Sequence, residues 1–139
     1  MFQFTSLRPS RLIASSGLVC ALSLGALVVP AATLASGGGS VVRATGSCTV
    51  HSTAKLKAKH DGSRLEVEFE VDQNRNGRLW NVRISDDGHR VFTGARRTVA
   101  PSGSFSLRVL VPNRAGLDTI VARAVNATTG EVCQARLNV

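Results

Sequence analysis

Two histidines and several carboxylates lie within short turn segments of this chain: His60 and Asp61, then Asp86, Asp87 and His89, then Asp118. Imidazole and carboxylate groups on adjacent loops can hold zinc or move protons, the chemistry of a small metal-assisted hydrolase. Each group also sits in an ordinary turn context. Asp61-Gly62 and Asp87-Gly88 are hairpin dipeptides, and Asp118 opens a strand. A second segment, Asp72-x-Asn74-x-Asn76-Gly77, imitates the start of a calcium loop, with alternate oxygens and a glycine for the sharp turn. The twelfth position, where a bidentate Glu is required, is Arg83, and Arg75 and Arg78 flank the single carboxylate. Asn76-Gly77 therefore reads as a turn before Trp80. Asn126-Ala127-Thr128 has the form of a glycosylation sequon and likewise reads as a turn, and His51 reads as a solvated strand residue. No activated nucleophile, phosphate-cradling glycine loop or paired acid and base is present, so the expected class is non-catalytic, with no metal and no cofactor.

Arginine offers a different chemistry. Arg83, Arg123 and Arg136 each fall on the polar phase of an alternating run, so a fold that sets those runs in one sheet lines them up as a basic stripe. Such a stripe attracts polyanions weakly and in a salt-dependent way. The expected partners are an anionic cell-wall polymer or an envelope protein, with the Asn/Arg-rich turn at Asn74, Arg75 and Asn76 as a second contact surface. Specific nucleic-acid binding is not expected, because Phe69, Trp80 and Phe105 occupy apolar phases of strands and are unavailable for base stacking.

The elements that must carry these groups are strands. Leu65, Val67, Phe69 and Val71 alternate with Glu66, Glu68 and Glu70; Trp80, Val82 and Ile84 alternate with Asn81, Arg83 and Ser85. Period-two runs recur over 105–111, 120–124 and 133–139, and further strands are read at 54–59 and near 90–99. About seven strands, spaced by turns and without helical periodicity, predict an all-β, two-sheet antiparallel sandwich. Asp61-Gly62 as a two-residue turn would pair His60 with Ser63, Ala58 with Leu65, Leu56 with Val67 and Ala54 with Phe69. Lys57 would then face Glu66 and Lys55 face Glu68, which accounts for Lys55-x-Lys57-x-Lys59 as a solvated face; Lys59 would oppose Arg64. The face on which Phe92 lies depends on one residue in the turn near Asp87-Gly88.

The first thirty-five residues set the compartment. Arg8 and Arg11 precede an uncharged run from Leu12 to Val29, and Thr33-Leu34-Ala35 offers small residues for cleavage, so 1–35 reads as a signal peptide. Val19 before Cys20 does not fit a lipobox. Cleavage leaves 104 residues without a membrane span. It removes two of the 17 basic side chains and none of the 9 acidic ones, so the net charge falls from +8 to +6. The product is expected outside the cell or on its envelope. Residues 36–46, which open with Ser36-Gly37-Gly38-Gly39-Ser40, read as a flexible segment, and 47–139 as the domain. Two of the three cysteines, Cys48 and Cys133, remain for a bridge in an oxidising compartment.

The segment Asp118-Thr119-Ile120-Val121-Ala122-Arg123-Ala124-Val125-Asn126, the turn at Thr128-Thr129-Gly130 and the ending Leu137-Asn138-Val139 resemble the closing hairpin of bacterial immunoglobulin-like domains. Glu68 to Gly77 followed by Trp80, with Arg90-Val91-Phe92 and Pro101-Ser102-Gly103-Ser104-Phe105, is similar to short secreted immunoglobulin-like proteins of actinobacteria, which are largely uncharacterised. The likeness implies an immunoglobulin-like sandwich over Cys48 to Val139 and no particular activity. It departs from antibody domains at Ile120, where a tyrosine corner would lie, and lacks their inter-sheet cysteine pair. It also implies that the cysteine-bearing first and last strands run parallel and side by side.

Overall fold

In the computed structural model, which describes residues 39–139, every alternating run becomes a strand and no helix is present among the described residues. The strands are β1 (Val42–Thr45), β2 (Ser47–Cys48), β3 (Thr53–Asp61), β4 (Arg64–Asp72), β5 (Leu79–Asp86), β6 (His89–Arg97), β7 (Ser104–Pro112), β8 (Thr119–Asn126) and β9 (Val132–Asn138). They form two antiparallel sheets, ordered β1-β3-β4-β7 and β2-β9-β8-β5-β6. The seven strands read from the sequence are β3 to β9, and their order, β3-β4-β7 facing β9-β8-β5-β6, is that of an immunoglobulin-like sandwich. The signal peptide read at 1–35 lies outside the described residues.

The apolar phase of each strand fills the layer between the sheets. Leu56, Leu65, Val67, Phe69, Trp80, Ile84 and Ile120 are completely buried. Phe105 of β7 meets both Phe69 of its own sheet and Trp80 of the other at 6.4 Å between ring centroids, tilted edge to face in the first case. Such pairs add roughly 0.5 to 1.5 kcal/mol beyond the area they bury.

Three expectations are corrected. The segment 36–46 is not flexible throughout, because Val42–Thr45 pairs with Ala58 to Lys55 as an added edge strand. Gly46 then carries the chain from one sheet to the other, so close to β9 that a Cβ there would lie 2.5 Å from the Gln134 carbonyl oxygen. The cysteine-bearing strands run antiparallel instead of parallel, with Cys48 directly opposite Cys133. The extra strand explains this. The first strand of the seven is β3, and β1 and β2 precede it in the opposite direction.

The third correction concerns the β3/β4 hairpin, where Asp61 pairs with Arg64 and the turn residues are Gly62 and Ser63. Gly62 has φ 61° and Ser63 does not have a positive φ, as a turn with glycine at its first central position requires. The register moves by two residues, so the same faces stay buried while the charge partners change. Lys59, Lys57 and Lys55 now oppose Glu66, Glu68 and Glu70 at 3.5, 3.5 and 3.8 Å, and the unfavourable Lys59/Arg64 pair disappears.

Arg108 of β7 closes this ladder, reaching Glu66 and Glu68 at 3.4 Å each, and Ser106 donates to Glu68 at 3.1 Å. Burial alone would raise the Glu68 pKa, but the Ser106 hydrogen bond, Lys57 and Arg108 together hold it below its ordinary value. A carboxylate with a lowered folded-state pKa contributes stability that is complete above its unfolded pKa and lost as pH falls through the folded one. Glu68→Gln is expected to cost about 1 kcal/mol at neutral pH. The variant should also lose less stability than the parent between about pH 5 and 3, as measured by urea unfolding across that range.

Candidate functional site

Strand alternation collects the loops at two ends and leaves the outer face of each sheet open. At one end, the turns at 73–78, 99–103 and 127–131 interlock. Gln73 N–H donates to the Gly103 carbonyl at 3.2 Å, and Asn126 Nδ2 donates to Gln73 Oε1 at 3.2 Å. Asn126 Oδ1 accepts from Thr128 and Thr129 N–H groups, so the sequon is a buried turn cap. The Asp72 carboxylate accepts from Asn74 N–H at 2.8 Å, closing a local turn that sets Asn74 at φ 55°. The buried Thr98 hydroxyl donates to the Arg75 carbonyl and accepts from the Arg78 N–H at 2.9 Å. Asn74, Arg75 and Asn76 are thereby exposed on a braced loop. Arg75 also lines a shallow depression with His51, Ser52 and Glu131.

At the other end, the segment after β7 folds over the β5/β6 turn. Asp87 (φ 47°) and Gly88 (φ 79°) form the two-residue turn expected there. Asn113 Nδ2 lies 3.2 Å from His60 Nδ1, Arg114 Nη1 donates to Asp86 Oδ2 at 2.9 Å, and Thr119 N–H donates to Asp87 Oδ1 at 3.0 Å. One carboxylate oxygen from each of Asp86, Asp87 and Asp118 lies within 4.8 Å of the other two. Among the described residues, no such group of three includes His60 or His89, so the histidine and aspartate set considered for a hydrolase is not assembled as one ligand sphere. Desolvation, followed by the charges of Asp118 and Asp87, pushes the Asp86 pKa above its ordinary value against the pull of Arg114 and His89.

The outer face of the five-stranded sheet carries the arginines. Arg83 of β5 is directly opposite Arg123 of β8, and Arg136 of β9 pairs with Val121, diagonal to Arg123. All three are exposed. Two more arginines continue the face on β6, where Arg90 pairs with Ser85 and Arg97 with Leu79. Sequence alternation alone missed this pair because a bulge between Ile84 and Ser85 shifts the phase of β6. The same bulge settles Phe92: it pairs with Ile84, lies half-buried against the core, and carries the Arg96 guanidinium 5.0 Å from its ring centroid.

Among the described residues, none of the five outer-face arginines has a carboxylate within 4.0 Å. All 9 acidic residues of the chain lie in the other sheet, in turns or in the interior. Like charges directly opposite across a ladder destabilise a sheet, so the Arg83/Arg123 pair is a cost that the fold does not offset.

No family model matches the chain, and no curated protein matches it. Among solved structures it is similar to the crystal structure of wild-type OgpA from Akkermansia muciniphila, at 16% identity and a TM-score of 0.38, over 80% of this chain. The chain corresponds to 30% of that protein's length.

Proposed function

We propose that this chain is an exported, non-catalytic immunoglobulin-like binding module that attaches to the cell envelope by laying its arginine face on an anionic wall polymer. The observation that carries the reading is the contrast between the two sheet faces. On β3, β4 and β7, Lys55, Lys57, Lys59 and Arg108 each contact at least one of three glutamates, whereas Arg83, Arg123 and Arg136, with Arg90 and Arg97, have no such partners. Guanidinium groups present planar pairs of donors that match phosphate and carboxylate oxygens. Neighbouring strands space them at about 5 Å, with diagonal neighbours at about 7 to 8 Å. A repeating polyanion can engage several at once, and the gain on binding would offset the repulsion retained in the free sheet. The basic leader-like start of the chain and the Cys48–Cys133 bridge support placement outside the cytoplasm.

The test is sedimentation with purified wall material across a salt series. Binding should weaken steeply as salt rises and fall at least about tenfold in the Arg83→Ala/Arg123→Ala/Arg136→Ala variant. Lys55→Ala, on the opposite face, should leave it unchanged. Binding that ignores both salt and the triple substitution would sink the proposal.

A further inference from the structure

We infer that Asp86, Asp87 and Asp118 form a site for one divalent cation, calcium, which clamps the segment 113–118 onto the β5/β6 turn. Two observations carry this beyond a mere grouping of acids. The Asp118 side chain is buried, at 1% exposure, yet neither of its carboxylate oxygens has a hydrogen-bond donor. Asp86 is fully buried; Arg114 occupies its Oδ2 at 2.9 Å, while its Oδ1 also has no donor. Three carboxylate oxygens out of contact with water and without donors are costly in a folded protein unless something positive faces them.

The backbone leaves these groups little freedom to turn away. Asp118 exchanges both backbone hydrogen bonds with Val139, at 2.9 and 3.0 Å. Asp87 N–H donates to the Thr119 carbonyl at 3.0 Å, and the Asp87 carboxylate takes the Thr119 N–H. Arg114 holds Asp86 by one oxygen, which leaves the other free.

Charge and geometry then select the ligand. Three carboxylates against one guanidinium leave two uncompensated negative charges. The donors are all oxygen, which suits a hard cation and not zinc with its preference for nitrogen and sulfur. Calcium binds oxygens at about 2.3 to 2.6 Å, so two ligands on opposite sides of the ion stand up to about 5 Å apart. The mutual 4.8 Å limit met by the three aspartates fits within that span. Asp87 is exposed, which gives the ion a way in and leaves its outer positions to water. The site lies at a loop end and not on the outer sheet face that carries the arginines, so it stands or falls independently of the envelope proposal.

The experiment is thermal unfolding of the purified protein in EGTA and in calcium chloride at constant ionic strength, with calorimetric titration of calcium. One ion per chain is expected. The Tm should rise by on the order of 10 °C when calcium is about a hundredfold above its Kd. Asp118→Asn and Asp87→Asn should each abolish that rise. Asp87→Asn keeps the fold testable, because asparagine tolerates the positive φ at this turn. Equal Tm values in EGTA and calcium would overturn the site, as would a calcium-dependent rise retained in both variants. The site would also be overturned if Asp118→Asn were the more stable protein while the parent ignored calcium.

Discussion

Removing the Cys48–Cys133 bridge lowers the unfolding free energy by roughly 4 to 5 kcal/mol, the loop-entropy value for cysteines 85 residues apart. For a domain of about a hundred residues, that is a large part of a total of about 5 to 15 kcal/mol. The local structure points the same way. β2 is only two residues long and pairs with β9 alone, so the bridge reinforces a short attachment to the last strand that otherwise rests on a few hydrogen bonds. The Cys48→Ala/Cys133→Ala variant should therefore melt roughly 20 °C or more below the parent. Denaturant unfolding followed by the fluorescence of Trp80, the single tryptophan and wholly buried, measures the loss directly. A difference below about 1 kcal/mol would mean that the cross-link restrains the unfolded chain far less than its length implies.

Gly103→Ala should be the most damaging single substitution at the Asn/Arg-rich end, costing about 3 kcal/mol. Gly103 has φ 71°, where an alanine loses about 1 to 2 kcal/mol, and its new Cβ would collide with the Arg75 backbone nitrogen and lie 2.6 Å from the Asn74 carbonyl carbon. Those are backbone atoms, so the 73–78 turn itself must move and give up its bond from Gln73 N–H to the Gly103 carbonyl. Gly130→Ala is the control. Gly130 has nearly the same φ, 72°, but open space around its Cβ position, so it should lose only the conformational part, about 1 kcal/mol. The difference between the two melts isolates the steric cost, and hydrogen exchange at Asn74 to Asn76 should quicken in the first variant only. Equal losses would show that the turn yields freely and does not hold Arg75 in place.

The residues that sequence alternation assigns to the core, from Leu56 to Leu137, are buried apart from the half-buried Val109, because a period of two leaves a strand only two faces and the apolar one must be covered. For the same reason the outward placement of Arg83, Arg123 and Arg136 was legible, and the turn positions of His60, Asp61, Asp86, Asp87, His89 and Asp118 already set these groups on adjacent loops. What alternation cannot report is pairing in steps of two, because a shift of two residues keeps every side chain on its face. The turn at Gly62-Ser63 made such a shift and exchanged the partners of Lys55, Lys57 and Lys59. A bulge is equally silent in a linear pattern, so the addition of Arg90 and Arg97 to the basic face and the inward turn of Phe92 came only with the fold.

Sequence alone determined the fold class, the two interior faces and the pair of cysteines able to bridge, since each follows from side-chain type and local period. Tertiary structure decided the antiparallel approach of Cys48 to Cys133 through an added N-terminal strand. It also decided which charges meet: glutamates reach the lysines on one sheet, none reaches the arginines on the other, and Asp118 is carried into contact range of Asp86 and Asp87. Those outcomes depend on strand order and register across a long stretch of chain, and no local propensity encodes either.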